Sequence, residues 1–239
     1  MASTFSSDLK LEIVATGEKA GLWGTITNTN LQILEQSASG YQDIDMAGAS
    51  VTLLLSDGAT SNGKNFYLKL SGTLAGDRTL TMPSGSERVW IISDETVRGG
   101  SNRTLSVLTA SGTSQPVPPG ATLLCVSDGT NTTTRIIEKG YATITDSNSP
   151  YAAVAGAQIF ANTTANPIEI DLPSSPAVGD EITIIDTRGT FNSNNLTIDR
   201  NGQPINSGTS NLVLNTNGQA ITLVYVDATR GWAFKTNTA

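Results

Sequence analysis

Arg78-Thr-Leu-Thr-Met-Pro-Ser-Gly-Ser-Glu-Arg-Val-Trp-Ile-Ile-Ser93 decides how this chain is read. Leu80 and Met82 alternate with polar residues, as on a half-buried strand. Pro83 to Gly85 supplies a turn, and Val89 to Ile92 is a compact run read as a second strand buried on both faces. Trp90 inside that run is read as core. The plan returns about 90 residues later: Leu80-Thr-Met-Pro83 answers to Ile170-Asp-Leu-Pro173, Val89-Trp-Ile-Ile-Ser93 to Ile182-Thr-Ile-Ile-Asp186, Leu105-Ser-Val107 to Leu196-Thr-Ile198, and Leu124-Cys-Val126 to Val224-Tyr-Val226.

Working outward, further strands are predicted at Val51 to Leu55, Asn65 to Ser71 and Thr122 to Ser127. Asp57-Gly58, Asn62-Gly63, Gly99-Gly100 and Asp128-Gly129 punctuate them as tight turns. Short strands at this spacing predict an antiparallel arrangement. The expected fold is mainly β: a short N-terminal strand and helix, then two tandem antiparallel β-sandwich, jelly-roll-like domains at 41–140 and 141–239. Two copies are too few for a solenoid.

Residues 1–40 are read as an anchoring and assembly segment. Leu9 to Ile13 alternates as a strand, and Gly21 to Gly40 is the one helix-periodic stretch. Trp23, Ile26, Asn30 and Ile33 recur at steps of three and four, with Leu34 widening the face. A lone helix of this size needs a partner for that stripe. The same helix in other copies would serve, with Asn30 fixing register in the seam; packing on the chain's own sheets would serve equally. The predicted helix starts after Gly24, with Thr25 or Thr27 as N-cap, and ends at Gly40 as a left-handed cap.

Gly21-Leu-Trp-Gly24, then Asn28-Thr-Asn30-Leu31 and Leu34-Glu35, resembles the N-terminal segment of tail-fibre and related virion structural proteins of tailed bacteriophages, of the marine and cyanobacterial phage type. Leu223-Val-Tyr-Val-Asp-Ala-Thr-Arg-Gly-Trp-Ala-Phe234 is similar to the closing strands of C-terminal domains in such proteins. The resemblance implies a homotrimer joined to other virion proteins through residues 1–40, displaying β domains for attachment to the host surface. A capsid or neck decoration fibre would need the same parts. A polysaccharide-cleaving enzyme is the third reading. If a host surface glycan is bound, Trp232 and Tyr225 are the candidate contacts.

The net charge of −7 contains no basic segment, which disfavours nucleic acid. The longest apolar runs fall far short of a bilayer span, and Met1 to Ser7 lacks the pattern of a signal peptide, so the expectation is a virion protein made in the host cytoplasm without membrane insertion. The sequence has no His, which removes the Ser-His-Asp triad and imidazole metal sites. Cys125 is alone and reads as a small core hydrophobe. Asn62-Gly-Lys-Asn65 reads as a turn that happens to contain a lysine. Asp94, Asp180 and Asp186 are read as solvated turn acids whose substitution leaves the fold intact, and the Asp186 to Asn195 loop as a donor-rich stretch without calcium-loop spacing. No catalytic, cofactor-binding or metal residue is expected.

Overall fold

The computed structural model describes residues 3–98 and 103–238; the Gly99-Gly100 turn lies outside the described residues. The chain forms two compact units. The first holds the chain up to Val97 together with Leu105–Gln115 and Thr122–Ile137, and the second holds Pro116–Ala121 and the described chain from Glu138 onward.

The protein is mainly β with a single α-helix among the described residues, but the expected antiparallel sandwiches are replaced by parallel coils. In the first unit, Tyr41–Asp45, Tyr67–Ser71 and Glu87–Asp94 lie side by side in parallel register, Tyr41 opposite Tyr67 and Tyr67 opposite Ile91. Between them the chain crosses to a second sheet, where Val51–Thr52, Arg78–Met82 and Leu105–Thr109 are likewise parallel. Each coil therefore gives one strand to each sheet, and a strand pairs with the one a coil later rather than with its neighbour in sequence. This is a short β-solenoid. Parallel pairing needs a crossover connection, and the strand of the opposite sheet supplies it.

The second unit repeats the scheme. Ala142–Ile144, Gln158–Ala161 and Glu181–Asp186 form one parallel ladder, and Tyr151–Ala152, Ile168–Asp171 and Leu196–Asp199 the other. Alternate residues from both ladders, among them Ile159, Ile184, Ile170 and Ile198, meet in one buried core.

Antiparallel strands end both stacks. Thr122–Asp128 pairs with Glu87–Asp94 in the first unit, and Ala220–Asp227 pairs with Glu181–Asp186 in the second. The echoes read from sequence thus occupy equivalent places: second coil, third coil, third coil and closing strand. The informative repeat is the coil of about 25 residues, and the count of two domains missed it. Period-two alternation is the same in both architectures, so it could not separate them.

Cys125 is buried as a core residue, and burial pushes its thiol up to about 12. Trp90 is also buried, its indole N–H donating to the Gly63 carbonyl at 3.0 Å.

The turn into the last strand is held by Gly231, at φ +68°, where a Cβ would collide with the Pro204 carbonyl. Gly179 has φ +91° with nothing within 4 Å of its Cβ position. Gly231→Ala is expected to lower stability by about 2–5 kcal/mol, from left-handed strain plus overpacking. Gly179→Ala carries the strain alone, about 1–2 kcal/mol. Denaturant melts of the two variants check the difference.

Candidate functional site

The helix spans Trp23–Ser39, and its N-cap Leu22 lies before both predicted caps, Thr25 and Thr27, because Ile26 N–H already donates to the Leu22 carbonyl at 3.0 Å. Leu22 stands at the N-cap without a side-chain bond. Gly40 is extended, φ −65° and ψ 137°, so it is not a left-handed cap. Glycine is needed there for close approach, since a Cβ would run into the Gln36 carbonyl and the Asn65 side chain.

The predicted assembly stripe is split. Ile26 and Ile33 are buried within the chain, whereas Trp23 and Leu34 are exposed. Asn30, expected in a seam between copies, has its side-chain amide bonded within the chain: its Oδ1 accepts from Glu12 N and its Nδ2 donates to Glu12 O, both at 3.0 Å. Gln36 grips the Ser61 backbone from the other end of the helix.

The predicted glycan contacts are core residues. Trp232 is fully buried and meets the half-turned ring of Tyr225 with centroids 5.6 Å apart. Tyr225 itself is buried, and its hydroxyl donates to Gln203 at 3.0 Å. Among the exposed rings, Tyr41 stacks on Tyr67 and Tyr141 on Phe160.

Two of the three acids read as solvated are structural. Asp186 is 7% exposed and accepts four backbone N–H groups, those of Arg188 and Gly189 on Oδ1 and of Phe191 and Gly218 on Oδ2. Its carboxylate organises the donor-rich loop and ties it to the Gly218 backbone. Asp94 is buried and accepts both the amide and hydroxyl of Thr96. Asp180 accepts the Ala177 amide at 2.8 Å within its turn. Lys64 is also misread by sequence, being buried with its ammonium donating to the Ser56 and Ala59 carbonyls at 2.6 Å. Burial pushes its pKa down to about 8.

A cluster that the sequence reading missed lies in the second unit. Glu169 and Asp171 alternate with buried Ile168 and Ile170, so both face outward. The parallel register sets Asp171 directly opposite Asp199, and one carboxylate oxygen from each of the three acids lies within 4.8 Å of the others. Asp199 is held in place by the Asn201 amide at 2.6 Å and Asn211 Nδ2 at 3.1 Å. Burial, followed by the neighbouring charge of Asp199, raises the Asp171 pKa.

The sequence signal was present as two Ile-Asp strand endings, Ile170-Asp171 and Ile198-Asp199, but only a parallel register brings them together. The same outward positions of the first unit hold Thr79, Thr81 and Leu108, with Thr79 and Ser106 hydroxyls 3.3 Å apart. The fold is thus built once without these acids. Such a group can chelate a hard divalent cation through oxygen. A carboxyl whose pKa is raised, as that of Asp171 is, is also suited to proton transfer.

No family model matches the sequence, and no characterised protein matches it. Among solved structures, a chain in a structure of a chaperone–substrate complex aligns at 13% identity with a TM-score of 0.35, covering 82% of this chain and 32% of that chain. This chain therefore matches about a third of the length of that one.

The acids separate under substitution. Asp186→Asn replaces one acceptor oxygen by an NH2 donor facing backbone N–H donors in a buried loop and is expected to cost about 1.5–3 kcal/mol or more. Asp171→Asn has the opposite sign. A carboxyl whose pKa is raised by folding binds protons more readily in the native state, so stability falls as pH rises from the ordinary carboxylate range through the raised value. Asp171→Asn should therefore raise the melting temperature at neutral pH, and the gain should vanish below that range. Thermal melts across pH check both signs.

Proposed function

We propose that this chain is a non-enzymatic structural protein of a tailed-phage particle, a tail-fibre-like appendage that assembles through its N-terminal segment and presents β units to the host surface. The observation that carries the reading is the second face of the helix. Beside the buried Ile26–Ile33 edge, Trp23, Thr27, Leu31, Leu34 and Ala38 follow one another at steps of four and three. Leu22, Trp23, Leu31 and Leu34 are between 42% and 57% exposed. Glu35 is the single charged residue of the 17-residue helix.

An apolar face of this kind marks an interaction surface. Near-heptad spacing with almost no charge suits several copies of the same helix side by side, in register, without like-charge contacts. Three copies agree with the resemblance carried by Gly21 to Glu35. The coils suit a load-bearing role, since each is joined to the next by a ladder in both sheets. Among the described residues no helix is long and apolar enough to cross a membrane.

The outward cluster Glu169, Asp171 and Asp199 favours a second reading, cleavage of a host surface polysaccharide. Carboxyls about 5 Å apart are what a retaining glycosidase uses.

Light scattering of the full chain at micromolar concentration is expected to report three chains. Leu31→Glu with Leu34→Glu should return a monomer whose β units melt as before, because neither side chain is buried in the single chain. A wild-type monomer would contradict the assembly reading. New reducing ends released from host surface polysaccharide, and abolished by Asp199→Asn without unfolding, would put the enzyme reading first.

A further inference from the structure

The sequence contains five Asx-Gly pairs: Asp57-Gly58, Asn62-Gly63, Asp128-Gly129, Asn201-Gly202 and Asn217-Gly218. Asx-Gly is the pair most prone to rearrange on its own. The glycine nitrogen attacks the preceding side-chain carbonyl carbon and forms a five-membered succinimide. Asparagine expels ammonia and aspartate expels water. One water then opens the ring at either carbonyl, leaving aspartate or isoaspartate. The attack needs a glycine N–H that is free to lose its proton and to swing onto the side chain.

Four of the five glycine amides are committed. Gly58 N donates to Lys10 O at 2.8 Å, Gly63 N to Leu54 O at 3.1 Å, Gly129 N to Ser127 Oγ at 3.0 Å, and Gly218 N to the buried carboxylate of Asp186 at 3.0 Å. The side chains of Asn62 and Asn217 are tied as well, each Oδ1 accepting a backbone amide, from Leu54 at 2.8 Å and Asn192 at 2.9 Å. Gly202 N donates to no group among the described residues. Both members of its pair are exposed and lie in a left-handed turn, Asn201 at φ 46° and Gly202 at φ 89°. The remaining restraint on the Asn201 side chain is the bond from its Nδ2 to Leu172 O, 2.8 Å.

We propose that Asn201 is a site of spontaneous deamidation, which proceeds in the folded protein ahead of every other Asx-Gly pair. The reaction removes the Nδ2 donor to Leu172 and creates a carboxylate two residues from Asp199, whose Oδ1 already accepts the Asn201 amide. Isoaspartate at this position would also add a methylene to the backbone of the turn that follows Leu196–Asp199. Charge and backbone at the rim of the acidic cluster thereby change with the age of the molecule.

Asn201-Gly-Gln203 and Asn217-Gly-Gln219 are the same tripeptide, so local sequence cannot favour either. The full-length protein is incubated folded, and in parallel in denaturant, in warm, mildly alkaline buffer. Peptide mass spectrometry then follows the one-dalton gain and the isoaspartate at each site. The expectation is equal rates at the two sites in denaturant and, in the folded protein, a lead for Asn201 over Asn217 and Asn62 of at least about tenfold, since a protected amide reacts only from its rare open state. Asn201→Gln should remove the early product and leave the slower sites as they were. Equal rates at Asn201 and Asn217 in the folded protein, or no product at Asn201 while the unfolded chain reacts, would overturn the proposal.

Discussion

Every coil of this protein depends on parallel, in-register pairing with the coil before it. Tyr41, Tyr67 and Ile91 form one row across three strands, and Val51, Leu80 and Val107 another. One ladder alone would leave its inner face wet; the crossing of the chain between two sheets lets aliphatic rows from both sides bury each other, as Ile159 and Ile184 do with Ile170 and Ile198. Burial of such side chains is worth about 1.5–3 kcal/mol each, which is the term that offsets the ordering of the chain. The same pairing sets the cost of the ends. An open ladder exposes unpaired N–H and C=O groups, and the antiparallel strands Thr122–Asp128 and Ala220–Asp227 cover one end of each stack.

Much of this was legible in the residues. Alternation located the strands, Trp90 and Cys125 were read as core, and the echo of Leu80-Thr-Met-Pro83 in Ile170-Asp-Leu-Pro173 found strands at equivalent places in the two units. What alternation does not encode is direction. A strand with one face buried has the same pattern whether its neighbour runs with it or against it, and glycine turns such as Asp57-Gly58 serve a crossover between sheets as well as a hairpin. The helix was misjudged for a related reason. Its stripe was read as one face, but Ile26 and Ile33 turn inward while Trp23 and Leu34 lie on a neighbouring face. Asn30 is satisfied by Glu12, eighteen residues away in sequence, a partner that only the folded N-terminal segment brings into reach.

The acids show the same limit from the side of the site. Asp186 beside a glycine-containing loop looks solvated in sequence, yet it gathers four amides into a buried carboxylate. Glu169 and Asp171 look like ordinary strand acids, with Asp199 a whole coil further along the chain, yet the three form one carboxylate group once the register is known. Thr79, Thr81 and Leu108 at the matching places of the first unit mark the cluster as an addition to a scaffold that stands without it. The scaffold and the helix face argue for a presented, self-assembling structural element, and the cluster is where chemistry would enter if this unit does more than present.

The parallel register is the claim on which all of this rests, and a disulfide pairing tests it most directly. In a Cys125→Ser background, Thr79→Cys with Ser106→Cys places two thiols directly opposite each other in adjacent parallel strands, within the Cα separation of about 4.4–6.8 Å that a disulfide needs. Thr81→Cys with Ser106→Cys is two residues out of register here but opposite in an antiparallel pairing about the same centre. The account predicts rapid, complete oxidation of the first pair within each folded chain and slow or absent oxidation of the second. Ready closure of the second pair with the first left reduced would contradict it.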